Sequence, residues 1–179
     1  MSISADLILA NVGSSQLRHR GEPVDQFLQR LVQLSLNDRH VKDMTGIDAC
    51  PNLRLLYLRN NQIPAITHLD HLHLTHLDLQ YNYIERLEGL EGCPSLTHLY
   101  LSFNRIKEIT SLAGPVALQE LHLSSQDLGS PEDPETPPQL VLTPEALAPV
   151  AVCFPEYSRP ILTCLLFIVE LINFLIYCR

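Results

Sequence analysis

From Leu31 to Leu112 apolar residues return at the same six offsets of a period of about 22 residues. The first register reads Leu31, Leu34, Leu36, Val41, Met44 and Ile47, and the second Leu53, Leu56, Leu58, Ile63, Ile66 and Leu69. The third reads Leu74, Leu77, Leu79, Ile84, Leu87 and Leu90, the fourth Leu96, Leu99, Leu101, Ile106, Ile109 and Leu112. All 24 positions are apolar in a chain that is 46% hydrophobic, a coincidence on the order of 10⁻⁸ if the positions were independent.

The first three apolar positions of each register alternate as in a short strand, which turns Leu34 and Leu36 inward and Gln33 and Ser35 outward. The later three are spaced by three and suit a tight helical turn or 3-10 segment. One such unit cannot bury its own apolar face, so neighbours must stack. The pattern predicts an α/β leucine-rich repeat solenoid of about five coils, with parallel strands on the concave face and short helical or 3-10 turns on the convex face.

Asparagine recurs eight residues after the first leucine, at Asn61, Asn82 and Asn104, where the strand ends. An amide offers both donors and an acceptor, so it can satisfy backbone groups of adjacent coils there. The first and fifth coils carry Arg39 and Gln126 instead, as expected of atypical terminal repeats. The fifth coil has Leu118, Leu121, Leu123 and Leu128, but Pro131 and Pro134 fall on its next two apolar positions, so the repeats 31–128 end there.

Residues 1–30 read as an N-terminal helical cap. Short helices are expected around Ala5 to Asn11 and from Pro23 to Arg30, the second with an apolar stripe of Val24, Phe27 and Leu28. Residues 129–160 hold eight prolines and five acidic residues in 32 positions, the composition of an extended linker. The last segment, 161–179, contains the 18-residue apolar stretch Ile161 to Cys178, interrupted by Glu170 and Asn173. A bilayer span takes about 20 apolar residues, so this stretch reads as a membrane anchor, as a fold-back cap on the fifth coil, or as an ending from an alternative transcript.

A net charge of −8 argues against phosphate-backbone binding, so nucleic acid is not an expected partner. Met1 to Gly13 has no basic stretch before its brief apolar run, which argues against a secretory signal and for the cytoplasm. Five cysteines at gaps of 43, 60, 11 and 14 fit neither a disulfide framework nor a zinc knuckle. Cys50 and Cys93 occupy equivalent places and read as small buried residues.

No P-loop, glycine-rich dinucleotide turn, GxSxG or HExxH occurs, so no enzyme and no cofactor are expected. His76, Asp78 and His98 lie close enough on neighbouring strands to be weighed as metal ligands, but the preferred expectation is that no metal is held. The outward strand positions carry more information. Tyr57, Arg59, His76, Asp78, Tyr81, His98, Tyr100, Phe103 and His122 project onto one face, and the aromatics and arginine among them are the residue types enriched at the energetic centres of interfaces. These nine are the expected protein-binding residues.

The registers "LRLLYLRNNQIPAITHL" and "LTHLYLSFNRIKEITSL" resemble the leucine-rich repeats of protein phosphatase 1 regulatory subunits. The opening "SADLILAN", the run "IERLEGLEGCPSLTHLYLSFNRIKEI" and the end "LQELHLSSQDL" are most similar to the regulatory subunit 42 type, over about residues 1–128. The resemblance implies a non-enzymatic scaffold that engages the phosphatase 1 catalytic subunit or a cytoskeletal protein, at the centrosome or cilium or elsewhere in the cytoplasm. That family continues into further repeats, which are replaced here by the proline-rich segment. No basic-Val-x-Phe docking sequence is present, so any phosphatase contact would fall on the concave face.

Overall fold

The computed structural model describes residues 1–109, 114–127 and 141–142. Two short helices, α1 (Ala5–Ala10) and α2 (Val24–Gln29), precede the strands β1 (Gln33–Ser35), β2 (Leu55–Tyr57), β3 (His76–Asp78), β4 (His98–Tyr100), β5 (Glu108–Ile109), β6 (Glu120–His122) and β7 (Val141–Leu142). Strands β1, β2, β3, β4 and β6 form one parallel sheet in that order, one strand per repeat. Their register is the one the repeat dictates: Leu34 opposite Leu56, Leu56 opposite Leu77, Leu77 opposite Leu99, and Leu99 opposite Leu121. The fold is a leucine-rich repeat solenoid, and the five strands delimit four full turns.

The core follows the six offsets. Of the 24 positions, the 23 within the described residues are all buried, most of them completely. Leu112 lies outside the described residues, as does Leu128 in the fifth coil. Cys50 and Cys93 join the same core, and burial pushes both thiols up to about 11.

The convex side carries less helix than the spacing predicts. One 3-10 helix, Ile47–Ala49, closes the first coil. Elsewhere the chain turns on single bonds, such as Leu72 N–H to the Leu69 carbonyl and Cys93 N–H to the Leu90 carbonyl. Three inward side chains spaced by three need only a turn between them, so the coil closes without a longer helix. At two of these turns a positive φ and a close approach demand glycine: a Cβ on Gly46 would collide with the Ile3 carbonyl, and one on Gly89 with the Ile66 carbonyl.

The asparagine ladder forms as expected. Asn61 Oδ1 accepts from the Arg39 and Val41 amides of the preceding coil, and its Nδ2 donates to the Leu36 and Leu58 carbonyls. Asn82 and Asn104 repeat the arrangement one coil on. Gln126 corrects the expectation of an atypical rung. Its Oε1 accepts from the Ile106 amide, its Nε2 donates to the Leu101 and Leu123 carbonyls, and it is buried like the asparagines.

The N-terminal segment covers the first coil. Phe27 and Leu28 of α2 and Ile8 of α1 enter the core, Ile3 N–H donates to the Thr45 carbonyl, and Glu22 pairs with Arg30 at 2.6 Å just outside α2. At the other end, the expected linker 129–160 and the apolar segment 161–179 lie outside the described residues except for Val141–Leu142, which pairs in parallel with Glu108–Ile109.

Candidate protein-binding face

Because side chains alternate along each strand, the first and third residues of every strand face outward, and the parallel register lines them up in columns. One column is Gln33, Leu55, His76, His98 and Glu120; the next is Ser35, Tyr57, Asp78, Tyr100 and His122. The expected residues Tyr57, His76, Asp78, His98, Tyr100 and His122 therefore share one sheet face. Arg59, Tyr81 and Phe103 lie past the strand ends, along the exit edge of the same sheet.

The histidine column is organised by threonine. Thr75 Oγ1 donates to the Arg54 carbonyl and Thr97 Oγ1 to the Thr75 carbonyl. Each hydroxyl has a single proton, so it accepts from the neighbouring imidazole, at 3.0 Å from His76 Nδ1 and 2.8 Å from His98 Nδ1. This polarity favours the Nδ1–H tautomer of both rings. They stack with centroids 4.1 Å apart and planes within 7°. Burial, and then the adjacent His98, lower the His76 pKa below its ordinary value.

Glu120 gathers the far end of the face. Its Oε1 meets His122 Nε2 at 2.6 Å and its Oε2 lies 3.5 Å from His98 Nε2. The hydrogen bond from His122 is the main cause that holds the Glu120 carboxyl below its ordinary pKa. Tyr100 is shifted the other way, by burial first and then by the Glu120 charge. Its ring leans on His122 with centroids 4.8 Å apart.

Stacking parallel rings and tying both Nδ1 atoms to threonine is a packing arrangement, and it does not converge His76, His98 and Asp78 on a common point. Among the described residues no group of three His, Cys, Asp or Glu side chains is placed to hold a metal ion.

Along the exit edge, one residue in each coil adopts the left-handed conformation: Asp38, Asn60, Tyr81, Phe103 and Ser125, all with φ between 55° and 60°. There the chain leaves the strand while its amide still donates to the next coil, as Tyr81 N–H does to the Ser102 carbonyl. Asp and Asn tolerate this geometry; bulky side chains rarely occupy it. Tyr81 and Phe103 do so while 38% and 42% exposed, stacked at 4.2 Å, with the Arg59 guanidinium 4.8 Å from the Tyr81 ring centroid.

Residues 73–114 match the family model for leucine-rich repeats, in two copies. A search of curated protein sequences finds no match. Among solved structures the chain is similar to an internalin (inlF) from Listeria monocytogenes, at 22% identity and a TM-score of 0.40, over 83% of this chain and 39% of that one. The chain thus spans well under two thirds of the internalin's length. Leucine-rich repeat domains are typically non-enzymatic modules that bind protein partners.

Four contributors are missing from the nine expected residues. Thr75 and Thr97 look like ordinary strand-edge residues until the register places each beside a histidine. Glu120 is an outward position whose bridging of two histidines depends on the parallel pairing of β4 with β6. Tyr83, 44% exposed with Arg105 4.5 Å above its ring, extends the aromatic edge. Its signal was present, since it follows the buried Asn82 and must point to solvent.

Proposed function

We propose that the chain is a non-catalytic interaction scaffold whose concave face and exit edge together bind a protein partner. The observation that carries this reading is the exposed stack of Arg59, Tyr81 and Phe103. Holding a bulky residue in the left-handed region costs about 1–2 kcal/mol, and an aromatic pair returns about 0.5–1.5 kcal/mol. The stack contributes little to folding, whereas exposed aromatics beside arginine are the groups that anchor interfaces.

The phosphatase 1 catalytic subunit and cytoskeletal proteins of the centrosome or cilium are the partner classes suggested by the repeat resemblance, which also motivates a cytoplasmic location. Proximity labelling with the full chain tests this reading, run beside the double variant Tyr81→Ala, Phe103→Ala. Enrichment of a phosphatase or centrosomal component that disappears in the variant is the expected result. Identical enrichment from both chains would refute the stack as the binding centre.

A membrane-tethered adaptor is the second reading, carried by the apolar composition of Ile161 to Cys178. Among the described residues no helix is long and apolar enough to cross a membrane, and that segment lies outside them. Co-flotation of the full chain with liposomes supports tethering; a full chain left at the bottom of the gradient opposes it.

A further inference from the structure

The column Tyr57, Asp78, Tyr100 places one carboxylate between two tyrosines in direct register, Tyr57 opposite Asp78 and Asp78 opposite Tyr100. Neighbouring strands are about 4.8 Å apart, so a cation held above Asp78 is flanked by a tyrosine on either side, within the roughly 6 Å reach of a cation–π contact once a ring turns its face to it. Asp78 is half-buried, and the one hydrogen bond its carboxylate makes to a described residue is from the Gln80 amide to Oδ1. It forms no ion pair among the described residues, where the four pairs lie elsewhere. The nearest candidate on the face, Arg59, is turned onto Tyr81 at the exit edge. Glu120, in the adjacent column, adds a second negative group close to Tyr100.

We propose that the concave face recognises a basic side chain, lysine or arginine, presented by its protein partner and seated on Asp78 between Tyr57 and Tyr100. This rests on the interaction-scaffold reading and adds the chemistry of the partner. The carboxylate supplies the charge and a hydrogen-bond acceptor, and the two rings supply cation–π contacts that a carboxylate alone lacks. Charge complementarity selects the occupant: an acidic chain with a half-buried carboxylate that has no ion pair among the described residues, at the centre of its concave sheet, repels acidic partners and favours basic ones.

The test titrates the full chain with tetra-arginine and tetra-lysine peptides, and with tetra-glutamate as control, following the tyrosine ring resonances by NMR. Basic peptides are expected to shift the Tyr57 and Tyr100 signals, with tetra-glutamate silent. Asp78→Asn keeps the bond from the Gln80 amide and should weaken peptide binding at least tenfold. Asp48→Asn, an equal charge change on the exposed convex side, should weaken it less than twofold. Tyr57→Leu should weaken it severalfold, while Tyr57→Phe, which keeps the ring face, should not. Equal losses from Asp78→Asn and Asp48→Asn, or no binding at all, would overturn the proposal. If partner capture remains sensitive to Tyr81 and Phe103 in that event, the scaffold reading survives without it.

Discussion

Phe103 is the residue at which backbone strain and the proposed binding role separate most clearly. Replacing it by asparagine relieves about 1–2 kcal/mol of left-handed strain and removes a stack with Tyr81 worth about 0.5–1.5 kcal/mol. Phe103→Asn should therefore move the unfolding free energy by no more than about 1.5 kcal/mol, while partner affinity falls by about 2 kcal/mol or more, the threshold of an interface hot spot. Chemical denaturation beside a binding titration checks both halves. A large loss of stability would make the ring a structural residue and remove the argument for an interface. Asn82 is the opposite case, since it is buried and its amide serves the Ile63 amide and the Leu58 and Leu79 carbonyls. Asn82→Ala strands those groups at about 1–3 kcal/mol each, so a thermal midpoint close to the parent's would contradict the ladder's role.

The coil is the natural unit at the next scale, because each strand and turn is completed by the coil beside it. Leu77→Ala and Leu99→Ala remove fully buried side chains from central strands and should each cost about 2–5 kcal/mol through lost transfer energy and a residual cavity. Hydrogen exchange should show the loss of protection spreading to both flanking strands; loss confined to the mutated coil would argue against nearest-neighbour coupling. Gly89→Ala should also destabilise, by about 1–3 kcal/mol, because its positive φ and the Ile66 carbonyl both oppose a Cβ. How much of these elements could be read beforehand follows the same division. The inward leucines were legible one by one, since a single uncompensated polar group in that column would break the core. The convex turns were not, because spacing by three is satisfied equally by a helix, a 3-10 segment or a bare turn.

At the scale of the whole molecule, the N-terminal segment carries an ion pair, Glu22 with Arg30, that closes the chain around α2 and depends on charge. Arg30, hydrogen-bonded to Glu22, lowers the Glu22 pKa from 4.5 to about 2. The folded state thus binds the proton more weakly than the unfolded chain, and the stabilisation from this pair is complete above about pH 4.5 and fades as the pH falls toward 2. Comparing the thermal midpoints of the parent and Glu22→Gln should show a gap at neutral pH that closes on acidification. A gap of constant size from pH 7 to pH 2 would mean that the pair does not stabilise the folded N-terminal segment.

The sequence by itself determined the solenoid, its period, the inward column and the asparagine rungs, because each depends on one residue meeting a requirement that its own repeat imposes. It also marked the outward aromatics, since nothing in the repeat asks for them. Only the tertiary structure decided which of those residues meet. The stacking of His76 on His98 and of Tyr81 on Phe103 and the bridging of His98 and His122 by Glu120 arise from the register between coils. Residues about 22 positions apart become neighbours across less than 5 Å when parallel strands stack, and the direction in which each ring then turns is set by partners that no single repeat contains.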